Sequence, residues 1–275
     1  MIESEVNRAN INFSNKIYII LLNAPKNPPD HLKLVIVGPY WSCKSSAGNN
    51  ILGKDAFEVN KNWDISRTAQ CEIGHGVFAE RRLTVVDSPG WFYIHTLQDT
   101  REMDKLEIEN SLYMCPPGPH AVLLVIELIT AVNATYQRSV QDHMSLFGDD
   151  VWKHTIILFT RPDWLEVKTV EERIESDEGL QWLVNKCENR YHVLNNLEPN
   201  NREQVKVLLE KIEEMRAEND DPYYEPMLRE EWKKREQMLI DRRTHVISLH
   251  AGNFNFFLYQ DGCHTSNHIL RKAEK

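Results

Sequence analysis

The chain has 275 residues, 41% hydrophobic and 27% charged, enough apolar material for one large domain or two small ones. A formal net charge of −9 argues against general binding to nucleic acid or to an anionic membrane, since both require a basic surface. Five scattered cysteines make no disulfide framework and point to a reducing, cytoplasmic setting, and no stretch approaches the roughly 20 apolar residues of a membrane span.

Residues 1–30 lack periodicity and close on Asn27-Pro28-Pro29-Asp30, which reads as a poorly ordered arm. Its acidic start differs from the basic start of a signal peptide. Leu32 to Val37 is a continuous apolar run, the pattern of a strand buried on both faces in a parallel sheet. A tight loop follows, and Ser45 to Leu52 reads as a short helix stopped near Gly53. Residues 54–68 are polar and irregular. Gln70–Ala79 and Leu83–Asp87 read as strands joined by a charged turn at Glu80-Arg81-Arg82. Arg101 to Met114 is a candidate helix with Met103, Leu106 and Leu112 near one face, broken by Pro116-Pro117-Gly118-Pro119.

His120 to Leu128 is a second apolar strand, Ala134 to Phe147 a helix ended by Gly148, and Thr155 to Thr160 a third apolar strand. Val170 to Cys187 is helical with a break near Asp177-Glu178-Gly179, and Tyr191 to Leu194 is a short last strand. Arg202 to Glu218 carries Val205, Leu208, Ile212 and Met215 on one stripe of an amphipathic helix. Tyr223 to Arg243 predicts a charged helical extension, and from Thr244 the periodicity vanishes. The domain therefore spans about residues 31–219, with an extension over 220–243 and an irregular tail over 244–275. Strands alternating with helices predict an α/β fold: a mostly parallel sheet with helices on both faces, binding its ligand beyond the carboxyl ends of the strands.

Three motifs fall at such ends. The first is the loop Gly38-Pro39-Tyr40-Trp41-Ser42-Cys43-Lys44-Ser45-Ser46, between strand and helix. A phosphate chain needs converging backbone N–H groups, a cation and a metal. The helix N-terminus supplies the N–H groups, Lys44 would reach the β- and γ-phosphates, and the Ser45 hydroxyl would ligate Mg²⁺. Taken alone, a strand–turn–helix that merely contains Lys-Ser is about as good a reading. The second is Asp87-Ser88-Pro89-Gly90, 43 residues after Lys44. Asp87 can hold Mg²⁺ directly or through water, and the Gly90 N–H can face a γ-phosphate, although the tetrapeptide is also an ideal surface turn. The third is Arg161-Pro162-Asp163, with Asp163 76 residues after Asp87. A carboxylate there can accept both donors of the guanine edge, a pair that adenine lacks, while the planar Arg161 covers the base face. Thr68 could complete the Mg²⁺ shell, and Asn195 and Asn196 could touch the base; a loop threonine and an Asn-Asn turn are the plainer readings. Cys263, His264 and His268 have ligand-like spacing without a second ligand pair.

Together these residues resemble the GTPase of immunity-associated protein (GIMAP) family, within the septin-like and chloroplast-import-receptor-like P-loop GTPases. The resemblance is carried by Gly48-Asn-Asn-Ile-Leu-Gly53-Lys with Phe57, by Ser66-Arg-Thr68-Ala-Gln-Cys71, and by Val85-Val-Asp87-Ser-Pro-Gly90. It is carried further by the box Pro117-Gly-Pro-His120-Ala-Val-Leu-Leu-Val125, by Ile157-Leu-Phe-Thr-Arg161-Pro-Asp163, and by Asn189-Arg-Tyr-His192-Val-Leu-Asn195-Asn196. It covers about residues 31–219 and fades in the charged extension. It implies a P-loop GTPase-like three-layer sandwich, GTP or GDP with Mg²⁺, self-association through the G domains, and a cytosolic or organelle-surface setting. Hydrolysis varies in the family, and Trp91 stands where Ras-like enzymes carry a water-positioning glutamine. No residue is assigned a catalytic role, and a water-orienting group would come from elsewhere, such as a second subunit.

The family's loop reads Gly-Lys-Thr-Gly-x-Gly-Lys-Ser, so Trp41 and Cys43 replace two glycines. A side chain at a glycine-type backbone costs of order 1–3 kcal/mol, and about 3 kcal/mol is roughly 100-fold in affinity. Two expectations follow from the sequence: a guanine-nucleotide-binding protein that is a slow GTPase or a nucleotide-controlled assembly switch, or a pseudo-GTPase that keeps the fold as an interaction module.

Overall fold

The computed structural model describes residues 30–59, 68–165, 168–219, 221–226, 230, 232–238, 240 and 241. The N-terminal arm up to residue 29, residues 60–67 and the Cys263, His264 and His268 group lie outside the described residues. The chain falls into two compact units, Met1–Met227 and Leu228–Lys275. In the second unit the described residues are helical, while residues 221–226 of the first are not, so the predicted extension does not run as one helix from Tyr223.

Six strands form one sheet: β1 His31–Val37, β2 Glu72–Phe78, β3 Arg81–Asp87, β4 Ala121–Glu127, β5 Thr155–Thr160 and β6 Tyr191–Leu194, in the order β2-β3-β1-β4-β5-β6. All neighbours are parallel except β2 and β3, which form an antiparallel hairpin. Six helices cover it: α1 Lys44–Leu52, α2 Glu102–Tyr113, α3 Ala134–Met144, α4 Val170–Glu175, α5 Glu178–Lys186 and α6 Arg202–Glu218. Because side chains alternate across a strand, each face builds its own core. Leu34 and Ile36 of β1 pack with Ala47, Ile51, Leu208 and Ile212 of α1 and α6. Val35 and Val37 pack with Ile108, Val140 and Leu183 of α2, α3 and α5. This is the three-layer sandwich expected from the alternating pattern.

Local details differ from the sequence reading. The hairpin turns at Ala79 and Glu80, both with positive φ (48° and 65°), the twist that suits a two-residue connection. Arg81 is thereby already in β3, opposite Phe78, and its guanidinium pairs with Glu213 at 2.9 Å. The helix from Ala134 ends at Met144 and tightens into a 3-10 turn over Ser145–Phe147. Met103 is exposed, whereas Leu106 and Leu112 are buried. The break near Asp177 stands as expected, because the Asp177 carboxylate accepts from the N–H groups of Gly179 and Leu180 and caps α5.

The Pro117-Gly-Pro-His120 box has a packing role. The Tyr224 N–H donates to Pro119 O at 2.8 Å, and its hydroxyl donates to Phe147 O. A Cβ on Gly118 would fall 1.8 Å from Tyr224 O, so only glycine lets the chain return here after α6. His120 accepts the Lys33 N–H through Nδ1 at 3.0 Å.

Candidate functional site

The carboxyl ends of β1, β3 and β5 meet along one edge of the sheet, where the connection from β1 runs toward one neighbour and that from β4 toward the other. The loop 38–43 leaves β1 there. Gly38 has φ 151°, and a Cβ on it would lie 2.5 Å from Val125 O, so the first loop position admits glycine alone. Trp41 and Cys43 take φ values of 65° and 66°. Both therefore hold a left-handed backbone of the kind glycine favours. Cys43 is the N-cap of α1 without making a side-chain capping bond. Its Sγ lies 3.6 Å from Glu127 Oε1, and burial keeps the thiol protonated by raising its pKa.

This strain belongs to the folded loop. It lowers the stability of the domain, instead of acting only on nucleotide affinity as the sequence suggested. Left-handed residues with a Cβ cost roughly 1–2 kcal/mol, and glycine returns about 0.5–1 kcal/mol of that through backbone entropy. The variant Cys43→Gly is therefore expected to be about 0.5–1 kcal/mol more stable in urea denaturation. A destabilised variant would contradict the strain.

The loop is closed from within. The Ser42 hydroxyl donates to Pro39 O at 2.9 Å, and Lys44 Nζ donates to the same oxygen at 2.8 Å. Ser42 is buried, so its side chain shapes the loop. Burial pushes the Lys44 ammonium down to about 8, against the pull of Asp87. The Ser46 backbone lies in the first turn of α1, whose leading N–H groups have no intrahelical partner. From the far side, the Thr160 hydroxyl donates to Ser42 O at 3.1 Å and ties the end of β5 to the loop.

Three residues far apart in sequence converge beside Lys44. The Ser45 hydroxyl donates to Asp87 Oδ2 at 2.5 Å, and Thr68 Oγ1 lies 3.4 Å from that oxygen and 3.5 Å from Ser45 Oγ. Asp87 is buried, its carboxyl pushed up by burial first and drawn down by Lys44 and Ser45. Its second oxygen, Oδ1, is buried with no hydrogen-bond partner. An orphaned carboxylate oxygen among two hydroxyls suits a hard divalent cation, so the donor set fits Mg²⁺. Gly90 sits across from this group, where an added Cβ would be 2.8 Å from Lys44 Nζ and from Tyr40 N.

Arg161, Pro162 and Asp163 lie at the end of β5, as their spacing predicted. Arg161 has φ 57° and starts a 3-10 turn over Pro162–Trp164. Its Nε donates to Glu127 Oε1 at 2.9 Å, and its guanidinium lies 4.6 Å from the centre of the Trp164 ring. Asp163 is exposed on the turn. The two asparagines separate. Asn195 is committed to its turn, with Oδ1 accepting from Leu197 N and Nδ2 donating to Glu198. Asn196 keeps both Oδ1 and Nδ2 buried and unpartnered. Asn50 of α1 donates to Asn195 O at 3.3 Å and joins α1 to this loop.

Glu127, Thr160 and Asn50 escaped the sequence reading. Glu127 alone had a signal, as the one carboxylate near the end of the apolar run from His120 to Leu128. The others are ordinary polar residues, and only their partners give them a role.

The fold and site define a phosphate-loop α/β domain of the G-domain type. Residues 32–243 match the AIG1 family, and the chain belongs to it. The match runs through the charged extension, further than the motifs alone reached. Human GTPase IMAP family member 8 is 32% identical over 198 residues, 70% of this chain and 29% of that protein. This chain thus spans under a third of that relative's length. Immune-associated nucleotide-binding protein 7 of Arabidopsis thaliana is 27% identical over 261 residues, 88% of this chain and 82% of that one. Toc33 from Arabidopsis thaliana, solved with GDP and Mg²⁺, shares the fold with a TM-score of 0.54 at 14% identity, covering 77% of this chain and 93% of that one. A further structure, with a TM-score of 0.54, 14% identity and coverage of 76% and 92%, is described by the statement that dimerization is important for the GTPase activity of the chloroplast translocon components atToc33 and psToc159. No helix among the described residues is long and apolar enough to cross a membrane.

Proposed function

We propose that this chain binds GTP and GDP with Mg²⁺ and acts as a slow GTPase or a nucleotide-controlled assembly switch. The observation that carries this reading is the convergence of Ser45, Thr68 and the half-satisfied Asp87 carboxylate beside Lys44, at the N-terminus of α1. The first N–H groups of α1 and the Lys44 ammonium hold the phosphates. Ser45, Thr68 and Asp87 would hold the metal, which neutralises phosphate charge when bound. Asp163 takes the donor edge of guanine, and Asn196, whose amide lacks a partner on both ends, takes the remaining polar edge of the base. Arg161, fixed by Glu127, and the Trp164 ring give the base a flat wall. Trp91 is buried and stacked on His143 at 4.7 Å, so it cannot orient a hydrolytic water. Fast hydrolysis by this chain alone is therefore not expected. Membership of the family and the dimerization described for Toc33 support association of two such domains, with the second supplying the missing group.

The test is a thermal melt with millimolar GDP and Mg²⁺, GTP and Mg²⁺, ATP and Mg²⁺, or EDTA. A ligand at about 100 times its Kd stabilises by roughly 2.7 kcal/mol. Guanine nucleotides should raise the melting temperature by several degrees, with the rise reduced by EDTA and absent with ATP. No shift with either guanine nucleotide would sink the reading in favour of a nucleotide-free interaction module.

A further inference from the structure

The two aromatic residues of the phosphate loop, Tyr40 and Trp41, also make contacts outside it. Tyr40 packs edge-on against Phe92 with ring centres 4.9 Å apart, and Trp41 packs edge-on against the same ring at 5.9 Å. Phe92 also touches His95 at 4.9 Å. Rings of the phosphate loop therefore grip the segment that follows Gly90. The backbone repeats the grip. The Tyr40 N–H donates to Trp91 O at 2.8 Å, and Pro39 and Trp91 form an isolated parallel bridge. Trp91 anchors the far side, stacked on His143 with the two ring planes 3° from parallel.

This grip fixes the position of Gly90. Lys44 Nζ, Tyr40 N and Tyr40 Cδ1 all lie within 2.9 Å of the point where a Cβ on Gly90 would be. A phosphoryl group joining an ammonium to a backbone N–H must place oxygens about 2.8 Å from each, with its own tetrahedron between them. The space beside the Gly90 α-carbon is instead taken up by the Lys44 ammonium and the Tyr40 backbone. The Lys44 ammonium can swing aside but the Tyr40 backbone cannot, so room for a terminal phosphate on this side of Gly90 comes from retreat of the segment 90–92, which separates Phe92 from Tyr40 and Trp41 and breaks the Tyr40–Trp91 hydrogen bond.

Taking the guanine-nucleotide reading as given, we propose that the Tyr40–Trp41–Phe92 cluster is a latch that makes this site select nucleoside diphosphate over triphosphate. A diphosphate reaches the α1 N-terminus and Lys44 without moving Gly90. A triphosphate binds only the unlatched form, and its apparent affinity falls by the fraction of protein in that form. One aromatic pair of this kind biases an equilibrium by roughly two- to tenfold. Two pairs and a hydrogen bond together give an expected preference of about tenfold or more.

The experiment is titration of the full chain, in Mg²⁺, with fluorescent GDP and with the fluorescent β,γ-imido analogue of GTP. The wild type should bind GDP at least about tenfold more tightly than the analogue. Phe92→Ala should bring the ratio within about threefold of one, by strengthening the analogue while GDP changes little. Circular dichroism checks its folding. Phe92→Leu keeps the bulk without the ring and must lower the ratio in the same direction. Equal affinities in the wild type, or an unchanged ratio in a folded Phe92 variant, would overturn the latch and leave guanine-nucleotide binding standing. Failure of the wild type to bind either nucleotide would overturn the guanine-nucleotide reading itself and the latch with it.

Discussion

Replacing Lys44 by methionine is expected to lower GDP affinity by at least about 100-fold, the equivalent of roughly 2.7 kcal/mol. Among the described residues the Lys44 ammonium is the cation that the loop itself carries, and it is aimed inward at Pro39 O at 2.8 Å. It is buried and faces the Asp87 carboxylate, so its charge is weakly screened. Methionine keeps the length and apolar stem. It also leaves Pro39 O with the Ser42 hydroxyl as donor, so the loop retains one internal bond. Isothermal titration with GDP and Mg²⁺, beside a circular dichroism spectrum showing an intact fold, measures the effect. Retention of wild-type affinity would show that the phosphates do not lie against Lys44.

The second large effect is acid sensitivity of the domain. Burial lowers His120, His143 and His192 from 6.5 to about 4, with Arg216 and Lys33 adding to the shift at His120 and Lys211 at His192. The unfolded chain therefore takes up protons at these positions between about pH 6.5 and 4 while the folded chain does not. Stability is complete above about 6.5 and is lost as the pH falls toward 4. Each histidine contributes about 2 kcal/mol of loss between pH 7 and pH 5, or about 6 kcal/mol for three, comparable with the whole stability of a small domain. Asp87 acts in the opposite sense, because its raised pKa favours proton uptake by the folded state. The urea midpoint should fall steeply between pH 7 and 5. The mechanism is sharpest at His120, whose Nδ1 must stay unprotonated to accept the Lys33 N–H. His120→Asn keeps an acceptor and should remove about a third of the pH slope. A midpoint that is flat over this range would refute the assignment.

Much of the site was legible because its parts sit at ends of strands that declare themselves. The apolar runs at Leu32, His120 and Thr155 have no polar face to turn outward, so they had to be interior strands of a parallel sheet. Gly38, Asp87 and Arg161 then had to fall at one edge. Boundaries were less legible where a terminal turn could tighten, as after Met144, or where a hairpin turned on positive φ at Ala79 and Glu80, residue types that do not advertise it.

Trp41 and Cys43 show the limit most plainly. Their sequence identity suggested damage to the loop, and their φ values place both in the left-handed region that glycine adopts at no steric cost. Asn195 and Asn196 are neighbours of one type, yet the turn consumes one amide and leaves the other without partners.

The sequence by itself determined the order of elements and the sheet edge at which the candidate site residues gather, because periodicity and strand ends are local properties of the chain. The tertiary structure decided which oxygens surround Asp87, that Arg161 leans on Glu127 and Trp164, and that Phe92 closes on Tyr40 and Trp41. Except for Arg161 and Trp164, those contacts join residues 19 to 52 positions apart. They are selected by packing of the whole sheet edge, for which no local pattern exists.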